Sequence, residues 1–157
     1  MNPRPAPIIL VIILLFTAGC SYRFVDPFPA SEFDLESVRN ATSEPGLAGL
    51  LEDELRRNGG FKDSAIYRLN VAVTRFEESV DSVGSSGSPV RQKLVMEVAW
   101  KIEGARLAQA VLGNKVIDRT YPYSADLTTL DWNRNAALRL LAETAAREIL
   151  EDIGARP

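Results

Sequence analysis

Apolar positions along this chain follow two periods, and the change from one to the other marks the elements. Over residues 65–78 they alternate. Tyr67, Leu69, Val71 and Val73 fall on one side, with Arg68, Asn70 and Thr74 on the other, which predicts a strand. The clearest strand comes next, where Leu94, Met96, Val98, Trp100 and Ile102 alternate with Lys93, Val95, Glu97, Ala99 and Lys101. Its phase makes Trp100 a core residue. Residues 82–89, SVGSSGSP, form a flexible tip between the two, giving an extended hairpin. Gly104 reads as a bulge or interruption. The run Leu112, Gly113, Asn114, Lys115 reads as a second tight turn. A last strand then runs over 115–123 and ends, or lies at an edge, at Pro122.

Two stretches carry the helical period instead. Leu47, Leu50, Leu51 and Leu55 recur at helical spacing after N-A-T-S-E-P-G-L. Ser43 is the expected N-cap there, Glu44 suits the positive helix end and Pro45 fits the first turn. Asn58, Gly59 and Gly60 supply the stop. In the second helix Leu138, Leu141, Ala145 and Ile149 form the apolar face, and Arg139, Glu143, Arg147 and Glu151 form a solvated stripe at spacing four. Thr128 and Asp131 read as its capping pair. Phe33, Leu35 and Val38 suggest a short first strand. The order is β-α-β-β-β-α. Each element has one apolar face, so the expected fold is α+β: a two-layer sandwich with two helices packed on one face of a four-stranded mixed sheet.

The N-terminus has a different pattern. Residues 8–16, IILVIILLF, are an unbroken apolar run behind Arg4 and ahead of Thr17, Ala18, Gly19 and Cys20. This is a three-part export signal, too short for a permanent span of roughly 20 residues. T-A-G-C resembles the bacterial lipobox, with Thr17 where Leu is commonest. The resemblance implies cleavage before Cys20 and acylation of its sulfur. Several buried acyl chains, at about 0.8 kcal/mol per methylene, make such an anchor stable. Ser21 in place of Asp points to the outer membrane, again by resemblance. The chain therefore divides into a signal at 1–19, a lipidated tether at 20–32 and one domain at 33–157.

Composition narrows the chemistry. The 157 residues include no histidine and one cysteine. Nucleophile–histidine pairs, histidine metal sites, internal disulfides and multi-cysteine cages are thereby excluded. No cofactor is expected beyond the covalent lipid on Cys20. The net charge of -3 argues against nucleic acid. A carboxylate-based hydrolase would need two acids in a cleft, and no acidic spacing calls for one.

Together, C-S-Y-R-F after the lipid cysteine, V-R-N-A-T-S-E-P-G-L into the first helix, K-L-V-M-E-V-A-W-K-I, and Y-P-Y-S-A-D-L into the last helix resemble the LptE family, from Cys20 to the C-terminal helix. The resemblance implies a non-enzymatic lipoprotein that plugs the LptD β-barrel, assists its assembly and takes part in lipopolysaccharide transport. It also implies lipopolysaccharide binding, but the family's basic contacts do not carry over residue by residue. Lipopolysaccharide presents phosphates and acyl chains, so Lys or Arg beside apolar surface is the chemistry required. Arg91, Lys93 and Arg134 are the candidates. The tip at 82–89 is a candidate insertion loop. Tyr121, Tyr123 and Trp132 cluster at the sheet-to-helix junction, where at least two are expected to cap the core. The competing reading is a periplasmic lipoprotein regulator of a cell-wall synthesis enzyme. The tether disfavours it: about a dozen residues reach roughly 40 Å at most.

Overall fold

The apolar phases of four strands and two helices meet on a single face of one sheet. The computed structural model describes residues 32–154. In chain order the elements are β1 (Phe33–Asn40), α1 (Leu47–Gly59), β2 (Tyr67–Val83), β3 (Pro89–Gly104), β4 (Val111–Pro122) and α2 (Leu127–Asp152). The sheet order is β1-β2-β3-β4, with β1 parallel to β2 and the other pairs antiparallel. The expected α+β sandwich of two helices and a four-stranded mixed sheet is the fold observed. The signal at 1–19 and the tether up to residue 31 lie outside the described residues.

The core takes every second residue of the strands. Leu69, Val71 and Val73 of β2 and Leu94, Met96, Val98, Trp100 and Ile102 of β3 are buried beneath Leu47, Leu51 and Leu55 of α1 and Leu138, Leu141, Ala145 and Ile149 of α2. Side chains of the opposite parity, such as Asn70, Ala72, Ala99 and Lys101, point to a face that no described element covers. The Arg139, Glu143, Arg147 and Glu151 stripe is exposed along its length.

The helix starts differ from the sequence expectation. α1 begins at Leu47 behind Gly46, which sits in the left-handed region at φ 76° and makes no side-chain cap. Ser43 plays no capping part, because Asn40 organises the preceding loop. Its Nδ2 donates to the Glu44 carbonyl at 2.6 Å and its Oδ1 accepts from the Thr42 amide at 3.0 Å. This Asx turn keeps residues 40–44 out of the helix. Gly60, at φ 58°, ends α1 as expected.

α2 is capped by Asp126, not by the Thr128 and Asp131 pair. The Asp126 carboxylate accepts from the Thr128 amide at 3.4 Å and the Thr129 amide at 3.2 Å. The Thr129 hydroxyl and these amides hold its carboxyl below the ordinary range. A depressed carboxylate contributes stability above its unfolded pKa and loses it as pH falls through the folded value. Asp126→Ala should therefore lower the melting temperature at neutral pH, and the gap from wild type should close on acidification below the carboxylate range. Melts followed by circular dichroism at pH 7 and pH 2 check this.

Two strand boundaries also move. β2 runs on to Val83, and its pairing with β3 slips between Val73 and Arg75, and again near Ser82. The connection shrinks to residues 84–88, closed by the Gly84 amide on the Ser88 carbonyl at 2.8 Å. β3 does stop at Gly104. Leu112 to Lys115 form no turn, however. They lie inside β4, and Gly113 pairs with Trp100. A Cβ on Gly113 would lie 2.1 Å from the Trp100 ring. The glycine is a notch for the indole, and the chain reverses earlier, at 105–110.

Candidate functional site

β2 and β3 form one long hairpin. At about 3.3 Å per residue, the 17 residues of β2 reach roughly 56 Å. Its outer half is where the basic candidates lie. Arg91 and Lys93 share one parity on β3, on the face away from the helices. Arg91 Nη2 donates to Thr120 Oγ1 at 2.7 Å, and Lys93 Nζ sits 3.3 Å from Asp118 Oδ2. Both cations are held upright against β4 by weak, solvent-exposed contacts, which leaves them open to an anion.

Arg134 is not with them. It lies on the helix side, in the second turn of α2, where two carboxylates hold it. Nη1 and Nη2 donate to Glu44 Oε1 and Oε2 at 3.1 and 2.8 Å, and Nε donates to Glu78 Oε2 at 2.9 Å. The Tyr121 hydroxyl donates to the other oxygen of Glu78. The hydrogen bond to Glu44 raises the guanidinium pKa further, and burial together with Glu78 keeps the Tyr121 phenol protonated. The cluster ties the loop before α1, the outer part of β2, β4 and α2 into one knot. The slip at Val73/Arg75 turns Glu78 toward the helix side, paired with Leu94, so strand alternation alone gave no sign of it.

Apolar surface gathers at this end as well. Val80, Val83 and Val90 of the hairpin are exposed, as are Tyr123 and, at 73% and 71%, Leu127 and Trp132. The Tyr123 amide donates to the Val90 carbonyl at 2.9 Å and Asn133 Nδ2 to the Pro122 carbonyl at 3.1 Å, fastening the start of α2 to the hairpin. Of the three junction aromatics only Tyr121 is buried; Trp132 is on the surface and Tyr123 is 38% exposed. The expectation that two would cap the core fails because Glu78 and Arg134 fill the space beside Tyr121 with polar groups.

A shallow cleft of about 470 Å³ opens on the bare sheet face, with Ala72 and Ala99 in its floor and Glu36, Arg39, Lys101 and Glu103 around it. Two acids therefore do line a cleft. Glu36 pairs with Arg68 at 3.5 Å and Glu103 with Lys101 at 2.6 Å. The bond from Lys101 holds the Glu103 carboxyl below its usual range, opposite to what a general acid needs. No group of metal-binding side chains occurs among the described residues.

The geometry alone names no family, and comparison with known proteins decides it. Residues 30–153 match LptE, described as lipopolysaccharide-assembly. The chain belongs to the LptE family. Solved structures share the fold. A lipoprotein of Caulobacter crescentus has a TM-score of 0.57 at 22% identity, covering 74% of this chain and 87% of that one. Rare lipoprotein B of Shewanella oneidensis has a TM-score of 0.57 at 18% identity, covering 76% and 92%. Lipoprotein B of Nitrosomonas europaea has a TM-score of 0.54 at 19% identity, covering 82% and 88%. No curated protein sequence matches the chain.

Proposed function

We propose that this LptE-family chain is an outer-membrane lipoprotein, anchored through acyl groups on Cys20, that plugs an LptD-type β-barrel. In that position it assists assembly of the barrel and takes part in moving lipopolysaccharide to the outer leaflet, with no bond-making step of its own. The observation that carries this reading is the family match across nearly all of the described domain. A rigid α/β body of this size also suits a wide, polar barrel lumen. Affinity purification from solubilised outer membrane, read by mass spectrometry, is the test. A large β-barrel that copurifies in stoichiometric amount supports the proposal. A penicillin-binding protein in its place would support the cell-wall regulator instead.

For the lipid itself, the proposal assigns Arg91 and Lys93 to the phosphates of lipopolysaccharide and the neighbouring exposed valines and aromatics to its apolar part. Arg134 enters only as a cation that a phosphate would have to win from Glu44 and Glu78. Arg91→Glu with Lys93→Glu should weaken lipopolysaccharide binding about tenfold or more, the worth of one lost charge-assisted contact. The circular dichroism spectrum should not change. Unchanged affinity for lipopolysaccharide on immobilised protein would remove these two residues from the site.

A further inference from the structure

The cleft on the bare sheet face is a trough that crosses the strands. The registers set Arg39, Ala72, Ala99 and Asn114 side by side on β1 to β4. The next row is Ser37, Asn70, Lys101 and Leu112. Alanine is a poor strand residue, and an open face sets no limit on side-chain size. Two alanines paired directly at the centre of that face lower the floor there. Asn70 and Lys101 stand beside them as a wall. The cleft runs over them from Arg39 on β1 to Leu112 on β4.

The charges along this trough cancel, with one exception. Glu36 is matched by Arg68 and Glu103 by Lys101. Asn70 is held in place beside them. Its Oδ1 accepts from the Ser37 hydroxyl at 2.7 Å, and its Nδ2 donates to Glu36 Oε2 at 2.8 Å. Arg39 is exposed and has no carboxylate or hydrogen-bond partner among the described residues. The cleft is therefore left with one unmatched positive charge, at its β1 end. At its β4 end Leu112, 70% exposed, offers aliphatic surface.

A fitting occupant is slim, anionic at one end and apolar at the other. From β1 to β4 is three strand spacings, roughly 14 Å. An extended peptide covers that distance in about four residues, and its residues i, i+2 and i+4 face the same side. A carboxylate at i can pair with the Arg39 guanidinium through two parallel hydrogen bonds. Position i+2 then lies over the alanines and position i+4 on Leu112. An acyl chain would have to lie along ion pairs instead. A sugar ring would meet alanine methyls only, because Trp100 turns its ring to the core side.

We propose that this trough binds an extended segment of a partner protein. The segment places an Asp or Glu on Arg39, a small residue over Ala72 and Ala99, and an aliphatic residue, four positions from the acid, on Leu112. The site is distinct from Arg91 and Lys93, since Lys93 lies six residues from Ala99, roughly 20 Å along β3. In the plug position the barrel would supply the segment, and that one assignment rests on the barrel reading.

The test uses the full lipoprotein, nitrogen-15 labelled and held in detergent micelles. The probe is the peptide Gly-Ser-Asp-Ser-Ala-Ser-Leu-Ser-Gly, together with the same sequence reversed. One of the two should move the backbone amide signals of Arg39, Ala72 and Ala99 saturably, with a Kd of about 1 mM, as suits a short flexible segment. Putting asparagine for the peptide's aspartate should weaken binding about fivefold or more, the worth of one exposed ion pair. Arg39→Glu should do the same, and this variant should prefer a peptide with lysine in that place. Ala99→Leu, which fills the trough, should also weaken binding, with the circular dichroism spectrum unchanged. No saturable shift at these amides with either direction overturns the proposal. So do equal affinities for the aspartate and asparagine peptides. Digalacturonate moving the same amides where neither peptide does would give the trough to a sugar and overturn it too. The copurification experiment decides the barrel partnership separately; its failure removes the proposed supplier of the segment and leaves the peptide result standing.

Discussion

Arg134→Ala should destabilise the domain by about 2–3 kcal/mol, the largest loss expected from any single polar side chain in it. The guanidinium makes three hydrogen bonds to two carboxylates and is only 26% exposed. Removing it leaves Glu44 and Glu78 facing each other across a half-buried gap with no counter-charge. Breaking a buried pair from one side costs about 3–5 kcal/mol, and the partial exposure here lowers that figure. Urea unfolding followed by circular dichroism measures the change. Adding Glu44→Gln and Glu78→Gln to Arg134→Met should restore much of the loss, because the unpaired charges then vanish. A loss below about 0.5 kcal/mol would show an ordinary surface contact. Lipopolysaccharide affinity measured on the same variants separates a lipid role for Arg134 from its part in the knot.

Gly113→Val should cost about 2–3 kcal/mol through overpacking. The added Cβ falls within 2.1–2.8 Å of three atoms of the Trp100 ring, and the isopropyl group extends further into the same space. The indole cannot retreat easily, since it is 7% exposed and packed in the core. A Trp132→Phe background removes the exposed tryptophan, so fluorescence then reports Trp100 alone. A red-shifted emission together with the lower urea midpoint is the expected pair of results. A Gly113→Val protein as stable as its parent, with unshifted emission, would mean the ring has another place to go.

These two sites also show where sequence patterning stops. Periodicity placed Leu47, Leu51 and Leu55 on one helix and Leu94 through Ile102 on one strand face, because burial at fixed intervals is a local property of the chain. It found the element order for the same reason. Gly113 was misread because a glycine that makes room for a ring looks the same in sequence as a glycine that turns the chain; only Trp100, thirteen residues earlier, tells them apart. Glu44 invited a helix-dipole role because it precedes α1, yet its partner Arg134 lies 90 residues away. Glu78 reached the knot through a register slip that no alternation rule anticipates. Asp126 took the cap from Thr128 because a carboxylate two residues earlier already reaches the first free amides of α2. Of the basic candidates, Arg91 and Lys93 were legible as a pair because they are two apart on a strand. Arg134 was legible as a cation, and its carboxylate partners were not.

The parallel pairing of β1 with β2 has a consequence for how the chain comes together. β2, β3 and β4 are consecutive and antiparallel, so they can zip from short-range reversals at 84–88 and 105–110. β1 is synthesised before any of them, yet it must wait for a partner some 34 positions downstream and for α1 to swing across in between. The three-stranded meander is thus the natural nucleus, and the first strand to leave the ribosome is the last to find its seat. Until then its buried flank, Phe33 and Leu35, stays open to water, which gives this small domain its most aggregation-prone moment.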